Sequence, residues 1–278
     1  MLLNNKLDSL FKQGAWRTRH TLGPFATFQN LHLLRELIKR DFNARFTGSA
    51  LGLVWAVLQP LMLVTLYWFV FTFMIPRAPG SKDDTYIYFL IAGLIPWLGI
   101  NEGISRSTTS IVDNAPVVRK LPFRSELLVV VPNASALIFE AVAFAIFIGI
   151  VLVTQPLPRM LWLLPFAFIL QFGIQVGIGL FLAASYVFFR DLTQILGFVL
   201  SIIFYLSPIL YPAAGRFEKY FNWNPMTPLL GLFRSAVLSS AALPEVGSIV
   251  FLLVVASGVF VSGLLFFRRA QPTLVDLI

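Results

Sequence analysis

One carboxylate, Glu140, sits in a stretch (residues 127–158) that holds no other ionisable group. A carboxyl group so placed can carry a proton, hold a cation or, when protonated, bond between two helices. Little around it completes a catalytic set. The two histidines, His20 and His32, both precede the first long apolar stretch, and the chain has no cysteine. A histidine pair for zinc, a histidine dyad within the apolar stretches and a thiolate nucleophile are therefore excluded, and no metal site is expected. No G-x-x-x-x-G-K-[ST] loop occurs, so this chain does not bind ATP in the P-loop manner. A membrane glycosyltransferase or acyltransferase would need acid and base groups converging at one interface, and none converge. An ion channel or proton-coupled carrier is expected to hold more charge among its apolar stretches than one Glu.

The elements that must position Glu140 follow from where charge is missing. Residues 46–76, 85–101, 127–158, 160–189, 192–215 and 246–267 carry no charged residue other than Glu140. A helix needs about 20 apolar residues to cross the hydrocarbon, and in lipid each backbone group must be bonded within its segment. The expectation is an all-α membrane protein with six transmembrane helices, at about 50–75, 86–105, 126–153, 161–189, 194–212 and 246–267. Composition agrees: 58% of residues are hydrophobic, 12% are charged and the mean hydropathy is +0.81, against about a quarter charged in a soluble domain. The first apolar run follows about 45 polar and basic residues, too long and too charged for a signal-peptide n-region.

The net charge of +8 invites a nucleic-acid reading. The positions of the charges point to topology instead. Counted along six spans, 15 of the 21 Lys and Arg residues fall on the side of the N-terminus, which predicts both termini in the cytoplasm facing anionic headgroups. Nucleic acid is not an expected partner. Before the first span, Phe28, Leu31, Leu34, Ile38, Phe42 and Phe46 share one helical stripe, with His32, Glu36, Lys39, Arg40 and Asn43 opposite. This is an amphipathic helix lying in the interface plane, with Arg35 and Arg45 snorkelling beside its stripe. It serves either as an anchor or as a lever receiving a partner protein on its wet face. The expected division is a cytoplasmic tail and interface helix over 1–46 and a six-span domain over 47–278.

Three further features mark the spans. Trp55, Tyr67, Trp68, Phe69, Phe71 and Phe73 crowd the first, as interface anchors or as a stripe on which sugar rings could stack. In the fourth, Gly173 and Gly177 alternate with Gln171 and Gln175, which permits close helix approach and interhelical hydrogen bonding. Between the fifth and sixth, residues 220–233 are apolar but interrupted by Asn222, Asn224, Pro225 and Pro228. That run is too short and too broken to span, and predicts re-entrant helices on the outer face. Arg234 at its end either caps a helix among headgroups or meets an acidic glycan or pyrophosphate.

Several segments, in order along most of the chain, resemble permease subunits of type-2 ABC exporters that move polysaccharides such as O-antigen, capsule and teichoic acid. They are RFTGSALG (45–52) leading to Trp55 and Pro60, NAPVVRKLPF (114–123), FRDL (189–192), SPILYP (207–212), and NPMTP (224–228) with Phe233 and Arg234. Arg124 departs from the family's pattern, in which a proline is expected. The resemblance implies a homodimer joined by two separate ATPase subunits, which would carry the ATP and Mg; this chain would bind no cofactor and do no covalent chemistry. It implies a lipid-linked glycan as substrate, the inner membrane of a bacterium as location, and a path at the dimer interface. Motor contacts are then expected at Glu36, Lys39 and Arg40 on the interface helix, at Asp113, Arg119 and Lys120 on the following connection, and at the Arg190–Asp191 turn. The path candidates are Tyr67, Trp68, Phe71, Glu140, Tyr205 and Arg234. The alternatives are a carrier, channel or lipid-modifying enzyme working without a motor, and an exporter of a small lipid or drug.

Overall fold

A computed structural model describes residues 24–46, 49, 51–70, 73, 85–120, 124–156, 158, 160–212 and 218–277. The regular structure among them is helical, with no strand. In chain order the helices are α1 (Pro24–Phe46), a 3-10 turn (Gly52–Val54), α2 (Trp55–Phe69), α3 (Thr85–Asp113), α4 (Ala115–Lys120) and α5 (Glu126–Thr154). Then follow α6 (Leu163–Phe188), α7 (Leu192–Leu206), α8 (Glu218–Phe221), α9 (Met226–Val237) and α10 (Val246–Leu277). Four of them, α3, α5, α6 and α10, are long and apolar enough to cross a membrane. α7 is apolar but only 15 residues long. α2 is likewise 15 residues long, and positions 71, 72, 74 and 75 of the first expected span lie outside the described residues.

The helices alternate in direction. Tyr88 near the start of α3 donates to Thr154 at the end of α5 (2.8 Å), and Arg268 near the end of α10 meets Glu126 at the start of α5 (3.2 Å). α3 is the central helix, touching α5, α6, α7 and α9, and Leu90, Ile91, Ala92, Ile95 and Ile104 on it are buried. α6 and α10 run side by side in their closest approach at glycine. A Cβ on Gly177 would lie 2.7 Å from the backbone of Phe260, and one on Gly263 would lie 2.1 Å from the Gly177 carbonyl oxygen. Gly177 thus does what its spacing predicts, whereas Gly173 faces open space.

One expectation changes at the end of α3. The second apolar stretch was expected to end near residue 105, yet α3 continues for two more turns to Asp113. Its hydroxyls make this possible: Thr108 Oγ1 donates to the Ile104 carbonyl (2.8 Å) and Ser110 Oγ to that of Ser107 (2.7 Å), so the side chains bury without outside partners. Ser107, Thr108 and Ser110 are accordingly buried. The connection after it holds a short helix, the six-residue α4.

Between α7 and α10 the chain forms the short helices α8 and α9. At 12 residues, α9 is about 18 Å long, too short to span. Its side chains are buried nearly all round, Leu229, Leu230, Leu232, Phe233, Ala236 and Val237 at 0% exposure. Asn224 starts it: Oδ1 accepts from the Met226 N–H (2.9 Å), while Nδ2 donates to the Leu206 carbonyl (3.1 Å) and to Ser207 Oγ (3.2 Å). The N-P-M-T-P motif therefore pins the start of α9 to the end of α7.

Candidate functional site

Polar groups meet α3 at three levels. At the end shared with α1, α1 presents Asp41 and Arg45 one turn apart, and α3 presents Glu102 and Arg106 one turn apart. Arg106 Nη2 donates to Asp41 Oδ1 (2.7 Å), and both Arg45 guanidinium nitrogens that face Glu102 bond its carboxylate, Nη2 at 3.1 Å. Arg106 Nη1 lies 3.7 Å from Glu102 Oε1, closing the chain of alternating charges. α5 supplies the third wall. Phe139 stacks on Phe42 with ring centroids 4.7 Å apart and planes 3° from parallel, and the Arg45 guanidinium carbon sits 4.0 Å above the same ring. Further along, Arg40 Nη2 donates to Asn114 Oδ1 (3.3 Å). A hollow of about 350 Å³ lies between α1, α3 and α5 beneath this bridge.

Midway along α3, Glu140 of α5 is 3% exposed. Its carboxylate presses into the notch at Gly99, where a Cβ would lie 1.9 Å from Oε2. Gln171 Nε2 of α6 donates to that oxygen. Glu140 Oε1 and Gln171 Oε1 are enclosed with no hydrogen-bond partner. One turn on, Gly103 leaves room for Asn133 of α5 and Gln175 of α6, and Gly179 for Ser107 and Asn133. Gln171 thus makes the interhelical bond expected of it, whereas Gln175 is buried with neither amide atom hydrogen-bonded. A cavity of about 270 Å³ runs from Glu140 to the Arg45–Glu102 pair, with Gln59 of α2 and Asn101 on its wall.

At the opposite end Arg234 of α9 is 6% exposed. Nε donates to the Phe89 carbonyl (3.2 Å) and Nη2 to that of Ile209 (3.0 Å). The guanidinium carbon lies 3.5 Å above the Phe89 ring, and Gly93 leaves the space for it. Tyr86 donates to the neighbouring Leu210 carbonyl. Arg234 is therefore turned inward onto the main chain.

Of the residues expected to meet a motor, Glu36, Lys39, Arg40, Asp113, Arg190 and Asp191 are exposed. They lie at the end of the bundle where α3 and α6 finish and α5 and α7 begin. Arg119 and Lys120 belong to α4 by backbone alone. The expected path residues are not brought together within one chain. Glu140 and Arg234 are interior, Tyr67 is half-buried against the core, and Tyr205 is 63% exposed on α7. Trp68 is placed by backbone alone, and Phe71 lies outside the described residues. Asp41, Glu102 and Arg106, together with the pairing of Arg45, escaped the sequence reading. Their signal was two opposite-sign pairs at i,i+4 on helices with apolar faces. Among the described residues no three histidine, cysteine or carboxylate side chains cluster as a metal site would require.

A helical membrane bundle with a charged-faced helix, α1, braced against its first long apolar helix, α3, matches one family across most of its length. The chain belongs to the ABC-2 type transporter family, whose model matches residues 32–238. It is 26% identical over 229 residues to the O-antigen export system permease protein RfbA of Klebsiella pneumoniae, covering 79% of this chain and 85% of that protein. To the protein of the same name in Myxococcus xanthus it is 27% identical over 226 residues (78% and 84%). To the polysialic acid transport protein KpsM of Escherichia coli it is 24% identical over 213 residues (74% and 81%).

Proposed function

We propose that this chain is the permease subunit of an ATP-driven exporter that carries a lipid-linked polysaccharide, of O-antigen, capsule or teichoic acid type, from the cytoplasm across the bacterial inner membrane. The observation that carries the reading is the similarity to O-antigen export permeases over 79% of this chain and 85% of theirs. Two copies of the chain pair with two ATPase subunits, which hold the ATP and Mg. The sequence has no P-loop, which fits a motor carried by another polypeptide.

In this reading the chain crosses six times, with both termini in the cytoplasm. α7 covers about 22 Å as a helix, short of the roughly 30 Å hydrocarbon. The turn after it, pinned to α9 by Asn224, extends the fifth crossing to the outer face, where α8 and α9 re-enter. The exposed charges of α1, the end of α3 and the Arg190–Asp191 turn meet the motor. Nucleotide-driven movement there opens a path between the two permeases, lined by side chains left uncovered in one copy, such as Tyr205.

Co-expression with an ATPase subunit is expected to yield a stable complex. Arg190→Ala or Asp191→Ala is expected to preserve ATP hydrolysis while export of the glycan falls. A purified chain that joins no ATPase, or that moves glycan in vesicles without one, overturns the proposal. Because the chain lacks cysteine, single cysteines introduced at 43, 80, 114, 157, 191, 214 and 270, one on each side of every expected span, and labelled from either side test the six crossings directly.

A further inference from the structure

We propose that Asp41, Arg45, Glu102 and Arg106 form a register lock that makes α1 and the cytoplasmic half of α3 move as one body, so that a push on α1 reaches the membrane core through α3 and α5. This rests on the permease reading, and names how force enters the bundle.

The argument is geometric. α1 and α3 each present an acid and a base one turn apart, in the same order along the chain. The pairing is crossed, Asp41 to Arg106 and Arg45 to Glu102, so the helices lie in opposing directions at this point. Sliding α1 by one turn, about 5 Å, sets Asp41 against Glu102 or Arg45 against Arg106. Either slip replaces attraction by repulsion between half-buried charges, so intermediate registers are disfavoured. The lock is bridged by side chains across a hollow of about 350 Å³, and does not depend on close backbone packing of α1 on α3. Phe139 ties in the third helix, its ring in contact with both the Phe42 ring and the Arg45 guanidinium.

The lock also reaches the core. Glu102 is three residues from Gly99, whose notch receives the Glu140 carboxylate, and Phe139 is the residue before Glu140. Arg45, Glu102, Gly99 and Glu140 line one cavity. Moving α1 with α3 must therefore shift the notch against Glu140 or carry Glu140 and Gln171 along. Physical continuity between two sites becomes coupling only when an equilibrium at one biases the other, and that is what the experiment reads.

The test uses the assembled complex of permease and ATPase in lipid. Spin labels at Asn43→Cys, exposed, and Ser105→Cys, half-exposed, neither among the residues expected to meet the motor, report the α1–α3 distance with and without ATP. The expected distance is the same in both states. A change of a helical turn, about 5 Å, overturns the lock. In parallel, Arg45→Glu and Glu102→Arg are each expected to lower export by about tenfold or more while the complex still hydrolyses ATP. Reversing all four charges together restores the three ion pairs, though not the Arg45–Phe139 contact, and is expected to recover export to within about threefold of the parent. Single reversals that export like the parent overturn the proposal, as does a folded four-fold reversal that recovers nothing. Should the single variants fail to fold, the label distance in the otherwise unaltered chain decides. A chain that assembles with no ATPase sinks the permease reading; a working complex whose labels part sinks the lock alone.

Discussion

The two ends of α3 hold arginine in opposite ways. At the far end Arg234 is buried and bonded to the carbonyls of Phe89 and Ile209. At the near end Arg45 and Arg106 are half-exposed and bonded to the carboxylates of Glu102 and Asp41. Carbonyl partners are main-chain atoms and move only if the backbone moves. Carboxylate partners sit on flexible stems and can exchange. The far end is thus built to stay closed, fastening α9 to α3 and to the turn after α7, whereas the near end is built to transmit displacement while keeping its register.

The sharpest way to break this contrast is to remove the fixed arginine. Arg234→Ala leaves two buried carbonyls unbonded and a void over the Phe89 ring, and is expected to cost about 3 kcal/mol. Thermal unfolding in detergent should show a large fall in midpoint, with less folded protein recovered from membranes. Arg234→Lys should recover only part of this, since one ammonium cannot reproduce the planar fork and the stacking on Phe89. A variant as stable as the parent would show that α9 is held by its apolar packing alone.

Between the two ends, Glu140 tests whether the middle level resembles either. Glu140→Ala strands the Gln171 amide in a buried site and opens a cavity, at an expected cost of about 2 kcal/mol. Glu140→Gln keeps size and hydrogen bonding, and is expected to cost well under 1 kcal/mol. Equal losses for the two variants would mean that the charge itself is required, and would revive the reading of Glu140 as a proton or ion carrier. Measuring export beside stability separates the cases, because a structural bond predicts that both fall together.

At the near end, Arg106→Ala removes its bond to Asp41 and its approach to Glu102. Half-exposed ion pairs contribute little, so the stability cost is expected to be about 1 kcal/mol. Its dependence on salt is the discriminating readout. Raising ionic strength should shrink the difference between Arg106→Ala and the parent, and leave that between Arg234→Ala and the parent nearly unchanged. Equal salt sensitivity at both ends would erase the distinction between them.

The contrast also explains what could be read from the chain alone. The crossings by α5, α6 and α10 were legible because a charge-free stretch of that length has few other fates in lipid. α1 was legible from its stripe, with Glu36, Lys39, Arg40 and Asn43 exposed in the fold as expected. The end of α3 was misplaced because Arg106 looked like a departure into water, when its partner is Asp41, 65 residues away. Arg45 was read as snorkelling for the same reason, its partner Glu102 being 57 residues away. Local periodicity reports which face is apolar, and says nothing of which distant charge a face will meet. Arg234 was visible as a residue, but the carbonyls that hold it belong to Phe89 and Ile209, and backbone acceptors have no sequence signature.

The smallest effect is expected at Arg268, whose Nε lies 3.2 Å from Glu126 Oε1 and whose side chain is 53% exposed. This pair joins α10 to the start of α5 at the same end as the lock, and on a diagram it resembles the lock's pairs. Physically it differs in three respects. Among the described residues it has no second pair one turn along to define a register and no aromatic ring beneath it. Its arginine is 53% exposed, against 22% and 36% for Arg45 and Arg106, so screening and side-chain entropy weaken it from that side although Glu126 is 15% exposed. Arg268→Ala is therefore expected to change the unfolding midpoint by less than the measurement error and to leave export within about twofold of the parent. A large loss of export with unchanged stability would show that the motor also engages α10. The near end would then transmit through two helices, and the division of labour along α3 would have to be redrawn to include the α10–α5 contact.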